Sequence, residues 1–194
     1  MSNKSGNKVC ESRSARMRIA VWIVFVVGGW VAGYYLDRML WHRLFVFTPY
    51  HLLSAAAGIV LFQVMRKIAR NTGRFLHDHG RAGDIPRFET NVLVTGGYYR
   101  YMRHPMHQGL MLAPVAIALL AGSPSFLLII APLEIFLMYV MIATIEEQEA
   151  IKKFGDDYRR FMQRVPRFCC RCECWKMLIF GLPEENNTRG EVEV

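Results

Sequence analysis

The chain has 194 residues, of which 53% are apolar, and its formal net charge is +8 at pH 7. This apolar share is only slightly above that of a soluble domain, so the distribution of charge along the chain decides the class of protein. The basic residues flank long uncharged blocks, and no nucleic-acid-binding motif is present. The charge therefore favours attraction to lipid headgroups over binding of nucleic acid.

Three long blocks of the chain exclude charge. Residues 19–36 and 44–65 contain no Asp, Glu, Lys or Arg, and residues 105–145 contain only one of these, Glu134. About 20 apolar residues of helix cross the hydrocarbon core of a bilayer, so the third block is long enough for two crossings. A chain this short could not wrap so many apolar helices in protein, which argues against a soluble fold.

A turn divides the third block at Gly122 and Pro124, since glycine ends helices and proline begins them. The sequence therefore predicts an all-α, multi-pass membrane protein with four transmembrane helices. We place the spans at about 19–36, 44–65, 105–121 and 124–145. The membrane domain would cover residues 19–168, between an N-terminal tail at 1–18 and a Cys-rich, polar tail at 169–194, the end of which is expected to be disordered.

The basic residues also predict the orientation of the spans, because Lys and Arg in short loops stay on the cytoplasmic side. Of the 24 Lys and Arg residues, only Arg38 and Arg43 lie outside the N-terminal tail, the long segment between the second and third spans, and the residues that follow the fourth span. We therefore expect both termini, and any pocket built by these polar segments, to face the cytosol.

Four of the five cysteines lie within residues 169–174. Thiols on the cytosolic side are normally reduced, so no structural disulfide is expected there. Zinc sites usually combine two separated pairs of ligands, so a metal site is not predicted either. We expect a reduced, partly exposed tail that touches the membrane through the apolar residues between Trp175 and Phe180.

The long polar segment, residues 66–103, leads directly into the third span. Its early part, with Gly73, Gly80 and Gly83, is predicted to be irregular. At its end, Pro105 suits the first turn of a helix, which places His104 at the N-cap beside unsatisfied backbone N–H groups. Such a position attracts a carboxylate, and Arg103 adds a charged donor.

Two acidic residues, Glu146 and Glu147, follow the fourth span on the same side of the membrane. Glu146 can bind an ammonium group or a pair of ribose hydroxyls. Each feature alone also has a plain explanation, because Arg-His pairs at a membrane surface anchor headgroups and acidic runs after a span are solvated helix ends. Gly155 is expected to end the helix that continues from the fourth span, and nearby aromatic residues, Phe154, Tyr158 and Phe161, are expected to pack.

Together these segments resemble a known family. The stretch LVTGGYYRYMRHPMHQG at 93–109 resembles the first signature of the isoprenylcysteine carboxyl methyltransferase and phospholipid methyltransferase superfamily. Glu146-Glu147, then FGDDY at 154–158 and VPRF at 165–168, resemble the second. The order, the spacing and the intervening two-span hairpin all match over roughly residues 91–168.

The resemblance implies an integral membrane methyltransferase that uses S-adenosylmethionine and methylates a lipophilic acceptor, either isoprenoid-like or a phospholipid. It assigns cofactor binding to Val92, Leu93, Val94, Tyr99, His104, Pro105, Met106, His107, Glu146 and Glu147. Arg103 and His107 are the catalytic candidates. His107 lies one turn beyond His104, and imidazole titrates near neutral pH, so we consider it the candidate base for an acceptor proton.

Two departures from the family pattern concern the acceptor. His107 stands where Tyr is common, and Ile142 stands where the isoprenylcysteine enzymes carry an Arg that can pair with the substrate carboxylate. An apolar side chain cannot neutralise a carboxylate, which argues against prenylcysteine as the acceptor.

Two further features inside the spans leave alternatives open. Glu134 is an acid within a span, and it either lines an acceptor tunnel or bonds to a neighbouring helix. Gly29 and Gly33 have the spacing of a helix-dimer motif, but no partner face stands out, and the oligomeric state stays open.

Two other functions remain compatible with the sequence. Sterol-type membrane reductases that use NADPH share a related His-Pro loop and a terminal Gly-x-x-Tyr segment, and a non-catalytic four-helix membrane protein could keep the same scaffold. Binding of S-adenosylhomocysteine or of NADPH would distinguish these possibilities.

Overall fold

The computed structural model describes residues 4–85 and 90–182, and the regular secondary structure in these ranges is helical. The prediction of disorder at the end of the C-terminal tail lies outside the described residues.

Nine α-helices and a 3-10 turn follow one another along the described chain. They are α1 (Lys4–Leu40), α2 (His42–Phe45), α3 (Thr48–His79), the 3-10 turn (Gly97–Arg100), α4 (Pro105–Leu110), α5 (Leu112–Ala121), α6 (Ala131–Met141), α7 (Glu147–Phe154), α8 (Asp156–Arg164) and α9 (Cys172–Phe180). Two π-helical turns, Phe126–Ile130 and Ile142–Glu146, precede and follow α6. They join α6 and α7 into one continuous helix, Phe126–Phe154.

Three helices in the described ranges are long and apolar enough to cross a membrane: Ala20–Leu40, Thr48–His79 and Phe126–Phe154. Each exposes large apolar side chains along its length; Val24, Leu53 and Phe136, for example, are 70%, 74% and 61% exposed. Such surfaces are unfavourable in water and suit a lipid environment.

These helices correspond to three of the four predicted spans. The remaining one, 105–121, forms the shorter apolar helix Pro105–Ala121, which α4 and α5 share. A fourth crossing stays a prediction.

The predicted turns are confirmed. α5 ends at Gly122, which has a left-handed φ of 61° and packs so closely on the His51 ring that a Cβ would overlap it. α7 ends at Gly155, where a φ of 62° lets α8 start in a new direction. The chain thus folds back at both places where glycine interrupts the helical pattern.

The predicted irregular segment after residue 66 is wrong in its first part, because α3 continues through Gly73 as far as His79. Ile68, Thr72 and Phe75 recur at helical spacing and are all buried, so one face of this extension packs against the rest of the chain. That burial outweighs the cost of about 1 kcal/mol of a glycine inside a helix. The helix ends only at Gly80.

Close packing of α3 against α5 and α4 fixes the position of the site. A Cβ on Gly58 would lie 2.7 Å from the Leu120 backbone nitrogen, and Ser54 Oγ donates to the Leu119 carbonyl at 2.6 Å. Gly109 of α4 packs equally closely on Ile68 of α3. α4 therefore starts beside the membrane-surface part of α3, where the polar residues gather.

Gly29 and Gly33 have a partner within the chain. A Cβ on Gly29 would lie 2.8 Å from Ile130 Cγ2 and 2.9 Å from Glu134 Oε1, and Gly33 faces Ser123 and Phe126. The small residues thus let α1 approach the start of the Phe126–Phe154 helix.

Glu134 is 2% exposed in this contact, and within the described part of the chain neither of its carboxylate oxygens has a hydrogen-bond partner. It therefore makes no hydrogen bond to the neighbouring helix, and it does not line the cavity described below. Neither of the two expected roles is observed for it.

Candidate functional site

A cavity of about 200 Å³ lies at the end of the helices where α3, α4, α7 and α8 meet, which we call the site end. Its lining residues are Leu76, Thr90, Val92, Leu93, Val94, Tyr99, Arg103, His104, Met106, His107, Glu146, Ala150, Phe154, Tyr158 and Phe161. Nine of these are residues that the sequence analysis selected. The other two selected residues, Pro105 and Glu147, lie behind the cavity wall and are buried.

The loop before α4 enters the cavity because glycine permits a close approach to α3. Gly97 has a φ of 56°, and a Cβ there would overlap the Phe75 ring. This contact seats the 3-10 turn, in which Tyr98 and Tyr99 are buried. Burial, with the nearby Glu146 carboxylate as the smaller cause, raises the pKa of the Tyr99 phenol well above its usual range. Tyr99 therefore faces the cavity as a neutral hydroxyl.

α4 begins as predicted, with His104 at the N-cap and Pro105 in the first turn. The backbone on either side of this start pairs with the segment after α8. Arg103 N–H donates to the Pro166 carbonyl at 2.9 Å, and His104 N–H donates to the Arg167 carbonyl at 3.2 Å. The segment after α8 thus fixes the backbone of Arg103-His104-Pro105, the corner at which α4 begins.

Glu147 organises the charges behind the cavity. Its carboxylate, 3% exposed, lies 2.8 Å from Arg103 Nη2. It also accepts hydrogen bonds from Arg167 Nε at 3.0 Å and from Arg167 Nη2 at 2.7 Å, a bidentate arrangement. The carboxylate raises the pKa of Arg167 above its usual value, so this guanidinium stays charged. Glu147 therefore holds two arginines in place and does not itself reach the cavity.

The remaining contacts of these arginines complete the arrangement. Arg103 Nη1 donates to the Met162 carbonyl at 3.0 Å, and Arg167 Nη1 donates to Tyr139 Oη at 2.8 Å. The guanidinium of Arg167 also stacks over the Tyr139 ring, 5.1 Å from its centre. The charge of each arginine is thus paired with Glu147, and Arg103 keeps one buried donor, Nε, that has no partner in the described chain.

Glu146, next in sequence to Glu147, has a different environment. Its Oε1 lies 3.1 Å from His107 Nε2, and its Oε2 lies 3.9 Å from His104 Nδ1. All three side chains are between 11% and 19% exposed, so they are accessible from the cavity. The two imidazoles and this carboxylate form one polar wall of a mostly apolar cavity, whose lining also includes Arg103 and Tyr99.

The imidazole of His104 is kept neutral by its surroundings. Desolvation by burial is the largest effect and lowers its pKa below the ordinary value, while Glu146 and Glu147 partly oppose this. His104 Nε2 lies 3.5 Å from Glu147 Oε1, too far for a short hydrogen bond. This nitrogen is buried and poorly satisfied.

The aromatic residues after Gly155 both pack and contribute to the site. Tyr158 and Phe161 are buried in the core beneath the cavity, as predicted, and with Phe154 they also form part of its lining. Burial and the Glu147 charge raise the pKa of Tyr158 to about 12, so its hydroxyl is neutral. Their helical spacing was compatible with packing, and nothing in that pattern indicated that they also line a cavity.

The C-terminal segment corrects one prediction. Cys169 and Cys174 form a disulfide, whereas reduced thiols were expected; a turn before α9 brings their Cα atoms to 6.1 Å. The expected partial exposure is observed, since Cys170 and Cys172 are exposed while Leu178 is fully buried in the core that α3 shares. Phe180 alone of the expected membrane-touching residues is strongly exposed, at 77%.

Sequence reasoning missed Gln108 and Arg167. The Gln108 amide donates to the Cys169 carbonyl at 2.7 Å and accepts from the Cys169 N–H at 3.0 Å, which ties α4 to the C-terminal segment. Both residues lie inside the two matched signatures, so the resemblance drew attention to their segments without assigning them a role. Ile142 is fully buried in its π-helical turn and does not line the cavity.

The site combines apolar walls with a small set of polar groups whose chemistry is specific. The His107–Glu146 pair can accept a proton, because a carboxylate beside an imidazole stabilises the imidazolium that forms. The apolar residues from Val92 to Val94 and Met106 exclude water from one side. Such a cavity can bind a ligand that is polar at one end and apolar at the other.

Comparison with known proteins places this site in a family. The phospholipid methyltransferase family matches residues 51–157, which contain the cavity wall from Val92 to Phe154. Methanethiol S-methyltransferase 1 of Bradyrhizobium diazoefficiens is 34% identical over 89 residues, which are 46% of this chain and 28% of that protein. Protein-S-isoprenylcysteine O-methyltransferase of Schizosaccharomyces pombe is 29% identical over 122 residues, 63% of this chain and 50% of the relative.

The chain thus spans half or less of the length of these curated relatives. No solved structure matches it significantly. The family match covers more than half of the chain and includes both signatures found in the sequence up to Asp157. The chain belongs to the phospholipid methyltransferase family, within the superfamily of membrane methyltransferases that also contains the isoprenylcysteine enzymes.

Proposed function

We propose that this protein is an integral membrane methyltransferase that uses S-adenosylmethionine to methylate a lipophilic acceptor. One observation carries the proposal. In this member of the family, one cavity is lined by residues from separate parts of the chain: Val92, Tyr99, His104, His107 and Glu146. The lipid-facing surfaces of the three long helices support an acceptor that arrives through the bilayer.

The donor set of the cavity fits the cofactor. Its amino acid end carries an ammonium, which the Glu146 carboxylate can bind, and a carboxylate, which the start of α4 at His104 can receive. The buried Nε atom of Arg103, a residue of the cavity lining, has no hydrogen-bond partner in the described chain, as expected of a wall that is completed by a ligand. Val92, Leu93 and Val94 would cover the apolar parts, and Tyr99 would contact the cofactor from the adjacent turn.

When bound, the cofactor supplies a methyl group on a sulfonium for in-line displacement by the acceptor. The protein residues then align the acceptor and exclude water. His107 is proposed to take the proton of a thiol or amine acceptor at Nε2, and Glu146, 3.1 Å away, would stabilise the resulting charge.

Arg103 and Glu147 are proposed to act by positioning. Arg103 was a catalytic candidate in the sequence, and its contacts with Glu147 and the Met162 carbonyl instead support a role in holding His104 and α4. Among the described residues that line the cavity, Arg103 is the only guanidinium; its charge is paired with Glu147, and its Nε atom has no partner in the described chain. This arrangement favours an uncharged acceptor over a carboxylate such as prenylcysteine.

The orientation of the protein is also a proposal. The distribution of Lys and Arg supports a cytosolic location of both termini and of the site end, whereas the Cys169–Cys174 disulfide is more typical of an oxidising compartment, so the orientation needs a direct test. Labelling of Cys170, which is exposed at the site end, by an impermeant maleimide in inside-out but not right-side-out vesicles would support it. The reverse pattern would contradict it.

Ligand binding by the full chain in lipid nanodiscs tests the function. We expect S-adenosylhomocysteine, and not NADPH, to raise the melting temperature, and a Glu146→Ala variant to lose that response. Glu149→Ala is the matched control, because Glu149 lies on the same helix and is exposed. A response to NADPH alone would indicate a reductase, and no response to either would indicate a non-catalytic protein.

Transfer of a labelled methyl group to a native lipid extract would then identify the acceptor. His107→Gln should lower turnover by about 100-fold, the lower end of typical general acid–base contributions, while leaving affinity for S-adenosylhomocysteine nearly unchanged. Unchanged turnover in this variant would exclude His107 as the base.

A further inference from the structure

The polar wall of the cavity has the composition of a metal site. His104, His107 and Glu146 each offer one ligand atom, and these atoms all lie within 4.8 Å of one another. His107 Nε2 is already 3.1 Å from Glu146 Oε1, and His104 Nδ1 is 3.9 Å from Glu146 Oε2. Ligands of one zinc ion, each about 2.0–2.2 Å from the metal, are about this far apart. To bind the same ion, the His104 ring would have to move closer to Glu146 and His107.

The chemistry of these donors indicates which ions they would accept. Two imidazole nitrogens and one carboxylate oxygen suit Zn²⁺, Co²⁺ and similar divalent transition metals, whereas Mg²⁺ and Ca²⁺ prefer oxygen ligands alone. Three protein ligands at the wall of a cavity leave at least one coordination position open to it.

A second observation supports the arrangement. Histidines that bind a metal usually present their other ring nitrogen to a carboxylate or carbonyl, which fixes the orientation of the ring. The other ring nitrogen of His104, Nε2, lies 3.5 Å from Glu147 Oε1, so a small rotation of the ring would complete this hydrogen bond. Glu147 is itself fixed by Arg103 and Arg167, so the outer layer of the site is ordered by contacts that do not depend on the metal.

We propose that His104, His107 and Glu146 bind one divalent transition-metal ion, and that this ion and the cofactor exclude each other. The exclusion rests on the proposed function, because a metal on Glu146 would neutralise the carboxylate that we assign to the cofactor ammonium. The metal site itself rests only on the three side chains. Occupancy by metal would therefore inhibit the enzyme reversibly.

Co²⁺ titration of the full chain in nanodiscs tests the site directly, with the visible absorption spectrum as the readout. The protein should carry no histidine tag, and Cys10, Cys170 and Cys172 should be replaced by Ser, since thiolates bind the same ions. We expect one equivalent of Co²⁺ with bands of nitrogen and oxygen ligation. His107→Gln and Glu146→Gln should each weaken binding at least about ten-fold, a loss typical even of outer-shell changes.

His77→Gln is the matched control, because His77 is 66% exposed and lies outside the cavity. Its affinity for Co²⁺ should equal that of the parent, and circular dichroism of every variant would verify that its helices remain. Full Co²⁺ affinity in both His107→Gln and Glu146→Gln, or no Co²⁺ binding by the parent protein, would overturn the site.

Addition of S-adenosylhomocysteine to the Co²⁺-loaded protein tests the exclusion. We expect the cobalt bands to decrease as the ligand concentration rises. If both ligands bind without affecting each other, the exclusion is wrong and the proposed function stands. If Co²⁺ binds at these residues but S-adenosylhomocysteine does not bind even without metal, the proposed function fails and the metal site stands.

Discussion

At the site end Glu147 is 3% exposed and pairs with Arg103 and Arg167, whereas Glu134, farther along the same continuous helix, is 2% exposed and has no hydrogen-bond partner within the described chain. The two acids are almost equally buried, yet their neighbours differ completely. Around Glu147 the chain has assembled two guanidinium groups, while around Glu134 it has placed the backbone of α1 at Gly29.

The difference shows how each end obtains its structure. At the site end, directional charged contacts determine where each side chain lies, which a binding site needs. Toward the opposite end, close packing at Gly29 and Gly33 brings helices together, and an acid is tolerated there without a partner. Buried ion pairs add little net stability on average, so we attribute the Glu147 network to geometry more than to stability.

The largest effect is expected where the charged network is broken. Glu147→Gln keeps the size of the side chain but leaves Arg103 and Arg167 without a counter-charge, which should lower the free energy of unfolding by about 3–5 kcal/mol. Denaturant titration in mixed micelles would measure it. Glu149→Gln on the same helix is exposed and should change stability by less than about 0.5 kcal/mol. Equal stability of the two variants would contradict the organising role of Glu147.

A smaller loss is expected from the packed end. A Cβ on Gly33 would lie 2.9 Å from Ser123 Oγ and 3.2 Å from Phe126 Cβ, so Gly33→Val should cost about 2 kcal/mol through overpacking. Gly28→Val is a close control on the same helix, because a Cβ there meets nothing within 4 Å. If both substitutions cost the same, helix propensity and not packing is responsible.

Replacement of the unpartnered acid should act in the opposite direction. Glu134→Met removes two unsatisfied oxygens from a buried position and should raise the free energy of unfolding by about 1 kcal/mol. The same micelle titration would detect this gain, and Glu134→Gln, which keeps the polar group, should not show it. A loss of stability on Glu134→Met would mean that the carboxyl group has a stabilising partner.

The smallest effect concerns the pH dependence of the site end. Burial lowers the pKa of His104 below 6.5, so the unfolded chain binds more protons, and stability declines as the pH falls through 6.5. Between pH 7 and pH 6 this residue should contribute a loss of at most about 0.7 kcal/mol. The stability difference between the parent and His104→Gln should shrink accordingly on acidification; a constant difference would show that His104 is not desolvated.

Local signals in the sequence were sufficient for much of the fold. Charge-free blocks predicted the membrane-length helices, and Pro105, Gly122 and Gly155 marked helix boundaries because their backbone preferences act within one or two residues. The continuation of α3 past Gly73 was not predictable in this way. It depends on burial of Ile68 and Phe75 against segments that come much later in the chain.

The site residues, too, were predictable where the signal is local in the sequence and not where it depends on a distant contact. Three site residues were identified because they lie in the two segments that resemble the family signatures: Arg103, His104 and Glu146. The different environments of Glu146 and Glu147 were not, since the partner that distinguishes them, Arg167, is separated by a glycine break and a further helix. The Cys169–Cys174 disulfide was missed because an argument from compartment cannot detect that a turn brings two thiols together.

The pairing of Arg167 with Glu147 also sets an order of events during synthesis. The Pro166 and Arg167 carbonyls that hold the backbone of Arg103 and His104, and the guanidinium that holds Glu147, all emerge from the ribosome after the long helices. A nascent chain can therefore place its helices in the membrane before these hydrogen bonds to Arg103, His104 and Glu147 have formed. The corner at Arg103 and His104 would then be completed only after residues 166 and 167 have emerged, later than the helices that pack around it.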